Sequence, residues 1–536
     1  MKGYRKLSMR RMKLAGSIMH PCDEGVIVST PATAPCSPRA ASWVLAATIL
    51  GSSLAFIDST VVNVALPALQ ANFNATVVDV QWVVEAYALL LAALLLAGGS
   101  LGDIYGRKRI YAVGVIVFGV ASAGCGLALN VNQLIFARAV QGIGAALLVP
   151  GSLAIISASF GEHDRGRAIG TWSGFTAMTT AVGPVLGGWL IEHASWRWVF
   201  FINLPVAAIV IILTLWGVPE SRNPQAGGRP DWPGAVLATA GLGGIVFALI
   251  ESSKRNWNDP VVIAAFLVGG SALIAFAAVE SGTSAPLLPI TLFRVRNFAG
   301  TNLLTLFLYS ALSGMFFFFP MNLIQVRNYT ATAAGAALLP FIVLMFLLSR
   351  WSGSVVDRYG ARRPLVFGPI VAAMGFALFA VPSIRAEYWT TLFPAVVVLG
   401  LGMAITVAPL TTTVMNSVAE GRAGIASGIN NAVSRLAGVL AIAILGIVML
   451  GTFNRHLVRD LAEMNISPEI RQELDAQRIK LAAIEVPAQV DKATREAIRR
   501  SIDESFVAGF RVVMVIASGL ALGSAAIAWL VVRDEP

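Results

Sequence analysis

The stretch Gly99-Ser-Leu-Gly102-Asp103-Ile-Tyr-Gly106-Arg107-Lys-Arg109 returns, loosened, 254 residues later as Gly353-Ser-Val-Val-Asp357-Arg-Tyr-Gly360-Ala-Arg-Arg363. The same spacing relates Gly170, Ser173 and Gly174 to Gly424, Ser427 and Gly428. Two separate matches at one offset indicate an internal repeat, which has to be read before single residues. The repeated unit is hydrophobic. The chain is 56% apolar and 13% charged, with a mean hydropathy of +0.74, whereas soluble domains carry about 25% charge. Apolar runs of about 20 residues, enough to cross ~30 Å of hydrocarbon, recur almost throughout. They are too long and too uniformly apolar for barrel strands, which alternate over ~10 residues.

The spacing predicts an all-α membrane protein of fourteen spans, the first near 43–66 and the last near 508–532. Six spans fill 43–217, and the repeat offset leaves room for a further pair before the second six. The expected organisation is a cytoplasmic tail at 1–42 and a six-helix bundle at 43–217. An inserted helix pair with linkers follows at 218–297, then a second six-helix bundle at 298–532. Both copies of the repeat fall on one side, so the bundles are parallel repeats about an axis along the membrane normal, a plan used by many secondary transporters. Basic residues such as Arg107, Lys108, Arg109, Arg165, Arg167, Arg362 and Arg363 crowd one set of short loops. The positive-inside bias makes that set cytoplasmic and predicts a multi-pass protein of the cell (inner or plasma) membrane with both termini in the cytoplasm. The same pattern accounts for the net charge of +10 without nucleic acid. The loop 451–506 falls on the outer side and is rich in both charge signs. There Ile498, Ile502 and Phe506 recur at helical spacing. It reads as a solvated helical hairpin on the membrane surface, or as a lid.

Several chemistries are excluded. No lysine follows a glycine, so no Walker A loop exists, and no soluble domain is large enough for an ATPase. Gly98-Gly-Ser100-Leu-Gly102 imitates a nucleophile elbow, but it ends a span, and every histidine lies in a tail or loop. No enzyme, cofactor or metal site is expected. Transport, if that is the task, must then draw on an ion gradient or run downhill.

Asp58 stands out. Nine residues before Pro67, it lies about 14 Å below the outer end of the first span at 1.5 Å per residue, where a carboxylate costs at least ~2.5 kcal/mol. Low dielectric favours the neutral form of such an acid, which makes it a candidate to bind and release a proton. Arg138 in span four reaches a similar depth, able to pair with Asp58 or compete with it through water. Glu85 and Gln81 lie shallower in span two; Glu85 is either a second proton or cation site, or a side chain snorkelling to the interface. Arg435 lies near the midplane of span thirteen, where its repeat counterpart is Ala181. Asn430 and Asn431 beside it either line a cavity or bond neighbouring helices. Gly183-Pro184-Val-Leu-Gly187-Gly188 marks a kinked helix that a partner can approach closely.

These motifs together resemble the major facilitator superfamily. Gly99–Arg109 resembles its loop signature between spans two and three, and Arg138-Ala-Val-Gln141-Gly142-Ile-Gly144 its span-four signature. Gly183–Gly188 is similar to its antiporter signature. Asp58-Ser-Thr-Val-Val-Asn63-Val-Ala-Leu-Pro67 and Trp196-Arg-Trp-Val-Phe-Phe-Ile-Asn203-Leu-Pro205 resemble the fourteen-span drug:proton antiporters. Ile104 stands where the family often has a basic residue. The resemblance implies multidrug efflux by alternating access, driven by a proton gradient. It implies proton coupling at Asp58 and Arg138, with Glu85 as a further candidate. A cytoplasmic gate is implied at Gly99, Asp103, Gly106 and Arg107, to which the repeat adds Asp357 and Arg363. The substrate cavity is expected to draw on Gln81, Asn63, Gln141, Asn430, Asn431 and Arg435. The expected partners are an amphipathic small molecule, protons and lipid. A periplasmic adaptor is left open, with no residue pointing to one. The alternatives are an exporter of one metabolite or antibiotic, and a membrane receptor or scaffold that transports nothing.

Overall fold

A computed structural model describes residues 38–223, 230–283, 286–384, 386–418, 423–464 and 466–533. Most of the expected tail, 1–37, lies outside them. The described residues are helical, without strands. In chain order the helices are α1 Pro38–Phe73, α2 Val77–Tyr105, α3 Arg107–Leu127, α4 Val131–Ser159 and α5 Glu162–His193. They continue as α6 Trp198–Gly217, α7 Trp232–Arg255, α8 Pro260–Gly282 and α9 Arg296–Val326. Then come α10 Leu339–Tyr359, preceded by the short turn Ala331–Ala336, α11 Arg362–Phe379, α12 Tyr388–Asn416 and α13 Ala423–Glu463. A small α14, Pro468–Ala476, precedes α15, Lys492–Val531. Among the described residues, 13 helices are long and apolar enough to cross a membrane. A further long helix, α5, has 32 residues and packs along α1.

The ends of these helices follow from local chemistry. Thr76 and Asp79 close a capping box at the start of α2. Asn130 caps α4, accepting from the Gln133 amide at 2.9 Å. Asp231 and Asp259 cap α7 and α8, each ahead of an early proline that fits the first turn. The repeat is visible in the backbone. Gly106 takes φ +115° and Gly360 φ +76°, and these residues, 254 apart, turn α2 into α3 and α10 into α11. An L side chain is disfavoured there. At Gly106 an added Cβ would also meet the Glu220 carboxylate 2.7 Å away.

α1–α6 pack on one another, as do α9–α13 with α15, and the pair α7–α8 leans on α2 and α13 through α7. Glycines set the closest approaches. An added Cβ at Gly142 of α4 would sit 2.5 Å from the Tyr87 carbonyl of α2, so these two backbones nearly touch. The end of the molecule carrying Gly106 and Gly360 is the basic end. At the opposite end α13 and α15 do not stop at a membrane thickness. Their 41 and 40 residues reach about 60 Å each at 1.5 Å per residue, twice the hydrocarbon core. Segment 451–506 is thus a helical hairpin standing on the second bundle. Ile498, Ile502 and Phe506 are fully buried, and with Leu457, Leu461 and Leu474 they extend the core of the bundles into the hairpin.

Gly106→Val forces a β-branched residue into positive φ against Glu220. It should lower the melting temperature of the purified protein clearly, whereas Gly270→Ala, with open space around it, should change it little. Equal melting of the two variants would show that the turn carries no such constraint.

Candidate functional site

The first bundle closes around a charge. Asp58 on α1 and Arg138 on α4 are 0% and 1% exposed, and Arg138 Nη1 donates to Asp58 Oδ2 at 2.5 Å. Gln141 Nε2, one turn along α4, donates to Asp58 Oδ1 at 2.9 Å. Asn203 of α6 reaches the same oxygen at 3.4 Å, held in turn by Ser122 of α3 at 3.0 Å. The guanidinium is shared out as well: its Nε donates to the Val83 carbonyl of α2 at 3.1 Å and its Nη1 to Gln141 Oε1 at 2.8 Å. Tyr87 covers it, with the ring centroid 4.2 Å from Cζ. Five helices thus meet on one ion pair. The short separation between α2 and α4 at Gly142 is what brings Val83 and Tyr87 into reach.

A buried pair of this kind is stable only while every polar atom is met. Each carboxylate oxygen of Asp58 has a donor here, and Arg138 donates three ways. The arrangement can therefore hold a charge pair away from water.

Gln81 and Glu85 occupy another face of α2. Gln81 Nε2 donates across to the Ile442 carbonyl of α13 at 3.2 Å, where Gly446 leaves room for it. Glu85, one turn further, is fully buried and neither carboxylate oxygen has a hydrogen-bond partner. It does not snorkel. Arg435 of α13 looks across to α1, its Cζ 6.0 Å from the Phe56 ring, and makes no ion pair among the described residues. An orphan acid and an unpaired cation therefore lie along the seam between bundles, displaced from each other.

The other expected residues divide by place. Gln141 belongs to the ion-pair network. Asn63 is half-buried on α1, its amide turned back to the Ser59 carbonyl at 3.4 Å. Asn430 ties α13 to α9 through Asn302 and Thr305, and the exposed Asn431 bonds its own helix at Ser427. The Gly99–Arg109 motif is latched within its own bundle. Asp103 pairs with Arg107 at 2.8 Å, the Arg107 amide donates to Ser221 at 2.9 Å, and Glu220 accepts from the Lys108 amide at 3.1 Å. Glu220 was not singled out from the sequence, although it is an acid placed among basic loop residues. Arg363 is exposed, and the side chain of Asp357 lies outside the described residues. Gly183 and Gly187 pack against Thr60 and Val61 of α1, while Gly188 meets the backbone of Ala331 in the second bundle and Gly335 there meets Pro184. The kinked helix thus has one glycine face for each bundle. Tyr87, Ser122 and Asn203 joined the site only in the structure; Asn203 lies within a quoted motif, but tyrosine and serine are ordinary in a span. Among the described residues no cluster of three or more metal-type ligands occurs.

Removing one member of the pair should be worse than removing both. Arg138→Met strands a buried carboxylate and is expected to cost about 3–5 kcal/mol. Asp58→Asn with Arg138→Met should recover part of that loss. Thermal or denaturant unfolding of the two variants checks it, and a double variant no more stable than the single one would contradict a tightly coupled pair.

The model of the Major Facilitator Superfamily matches residues 48–442. The chain is 34% identical over 487 residues to the multidrug resistance protein Stp of Mycobacterium tuberculosis, covering 88% of this chain and 89% of that protein. It is 31% identical to the tetracenomycin C resistance and export protein of Streptomyces glaucescens, covering 95% of each. To the puromycin resistance protein pur8 of Streptomyces alboniger it is 35% identical, covering 77% of this chain and 83% of that one. In fold it is similar to a bacterial homolog of the human lysosomal transporter Spinster in an inward-facing, unoccupied conformation. That match has a TM-score of 0.64 at 18% identity and covers 93% of this chain and 100% of the other. A D-xylose-proton symporter matches at TM-score 0.59 and 14% identity, covering 92% and 98%. Motif, fold and relatives agree: the chain is a multi-pass membrane transporter, not an enzyme, and belongs to the Major Facilitator Superfamily, among its drug efflux members.

Proposed function

We propose that the protein exports amphipathic small molecules in exchange for protons, by alternating access of its two bundles. The observation that carries this reading is the fully buried Asp58–Arg138 pair beside a seam that holds an unpartnered Glu85. A proton arriving on Asp58 removes the charge that holds Arg138, which loosens five helices at once. Glu85, at the seam, is free to take a second proton or the cationic nitrogen of a substrate. Arg435 keeps the opposite wall positive and disfavours a second cation. The bundles in this reading are 43–217 and 298–532, with the α7–α8 pair riding between them. The basic end faces the cytoplasm, with both termini there, by the charge bias of the loops.

The conformation supports the inward-facing half of such a cycle. The hydrogen bonds between the bundles among the described residues gather toward the end opposite the basic loops. They join Gln81 to Ile442, Gln70 to Gln325 and Lys480, Asn74 to Lys480, and Glu192 to Thr332. Export of drugs as the task rests on relatives named for multidrug, tetracenomycin C and puromycin resistance. The two named for one antibiotic favour a second reading, an exporter of narrow range.

In proteoliposomes under an imposed pH gradient, the native protein should move ethidium or a member of an antibiotic panel with matching proton flux. Asp58→Asn should abolish coupled flux and still insert. Glu85→Gln should lower export of cationic dyes more than of neutral drugs. Undiminished proton-driven flux in Asp58→Asn would refute the assignment, and response to a single panel member would favour the narrow exporter.

A further inference from the structure

The hairpin 451–506 does not lie aside from the transport path. Its inner strand of chain, the tight turn Arg478–Ala483, reaches over the far end of the first bundle. Lys480 Nζ donates to Asn74 Oδ1 at 2.6 Å, and the Lys480 carbonyl faces Gln70 Nε2 at 3.5 Å. On the other side Arg499 of α15 donates to the Ala482 carbonyl at 3.0 Å and to the Gln325 carbonyl of α9 at 2.6 Å. Gln325 Nε2 then donates to Gln70 Oε1 at 2.8 Å. Hairpin, second bundle and first bundle are thereby tied in one ring of polar contacts. The ring roofs a cavity of about 360 Å³, walled by Val64, Pro67, Ala68 and Ile191 of the first bundle and Ile324 of the second.

The turn is not relaxed. Leu481 has φ 55° and ψ −128° and is fully buried. A leucine holds such a backbone only when its surroundings impose it, and residues of this kind gather at switch regions. The side chain is the anchor that imposes it here, seated in the core that joins the two bundles.

From this ring we propose that the hairpin is the latch of the outer gate, with Lys480 and Arg499 as its positioning residues. The hairpin travels with α13 and α15. When the far end opens, Lys480 leaves Asn74, Gln325 leaves Gln70, and the roofed cavity becomes the exit. When it closes, the same contacts return and Leu481 is pressed back into its strained seat. The latch rests on the alternating-access reading above and adds to it an element that the repeat does not contain.

Cross-linking tests it on the full-length protein, with Cys22, Cys36 and Cys125 replaced by serine. Asn74→Cys with Lys480→Cys is joined by a short cleavable bis-maleimide in proteoliposomes. Because Asn74 sits at positive φ, Ala71→Cys with Lys480→Cys, on the same cavity wall, is run beside it. Glu192→Cys with Thr332→Cys locks the gate helices themselves. The expected result is loss of ethidium export in all three joined proteins, recovery on cleavage, and in each single-cysteine protein the same export with and without the reagent. Full export with the hairpin joined and loss with Glu192 joined to Thr332 would overturn the latch and leave alternating access standing. Full export in every joined protein would overturn both.

Discussion

A guanidinium and a carboxylate, both sealed from water inside one bundle, constrain the architecture of the first half of this protein. Their attraction alone does not outweigh the cost of desolvating them. What makes the pair tenable is the completeness of its surroundings: Gln141 and Asn203 supply the donors that Asp58 needs, and Val83 and Tyr87 occupy Arg138. Those partners come from α1, α2, α4 and α6, with Ser122 of α3 steadying Asn203. The helices must therefore sit at fixed separations, and the glycine at position 142 is the reason α2 and α4 are close enough. Loss of either charge would be felt by every helix that contributes a bond.

The seam between bundles has the opposite character. Its hydrogen bonds among the described residues gather toward one end, and small residues let backbones meet: Gly188 at Ala331, Gly335 at Pro184, Gly446 at Gln81. Glu85 and Arg435, charged residues without ion-pair partners among the described residues, lie along this seam rather than inside a bundle. A group left unmet in low dielectric is costly, and the proposed cycle gives Glu85 a proton or a substrate cation to meet it. The hairpin places a third body over the same seam, joined to both bundles.

Much of this was legible beforehand because its causes are local or periodic. Apolar runs of membrane length need no tertiary context, and the repeat at one offset announced two bundles of like build. The glycines at 106 and 360 were visible as motif members before their positive φ explained them. Asp58 and Arg138 were legible because a charge in an apolar span demands a reason. The α13–α15 hairpin was legible only as amphipathic spacing at Ile498, Ile502 and Phe506; whether it lay on lipid or rose from the bundle depends on which surface buries those three residues.

The sequence by itself determined the class of molecule, an all-helical membrane protein of many spans, and singled out the charges within those spans. These follow from hydropathy, length and repetition, which one dimension records. The tertiary structure alone decided who met those charges. It set Tyr87 and Asn203 around the ion pair, left Glu85 without a partner, turned Glu220 onto the loop at Gly106, and carried Lys480 across to Asn74. Each of those contacts joins residues distant in the chain, and its energy depends on separations of a few tenths of an ångström that only the packed helices define.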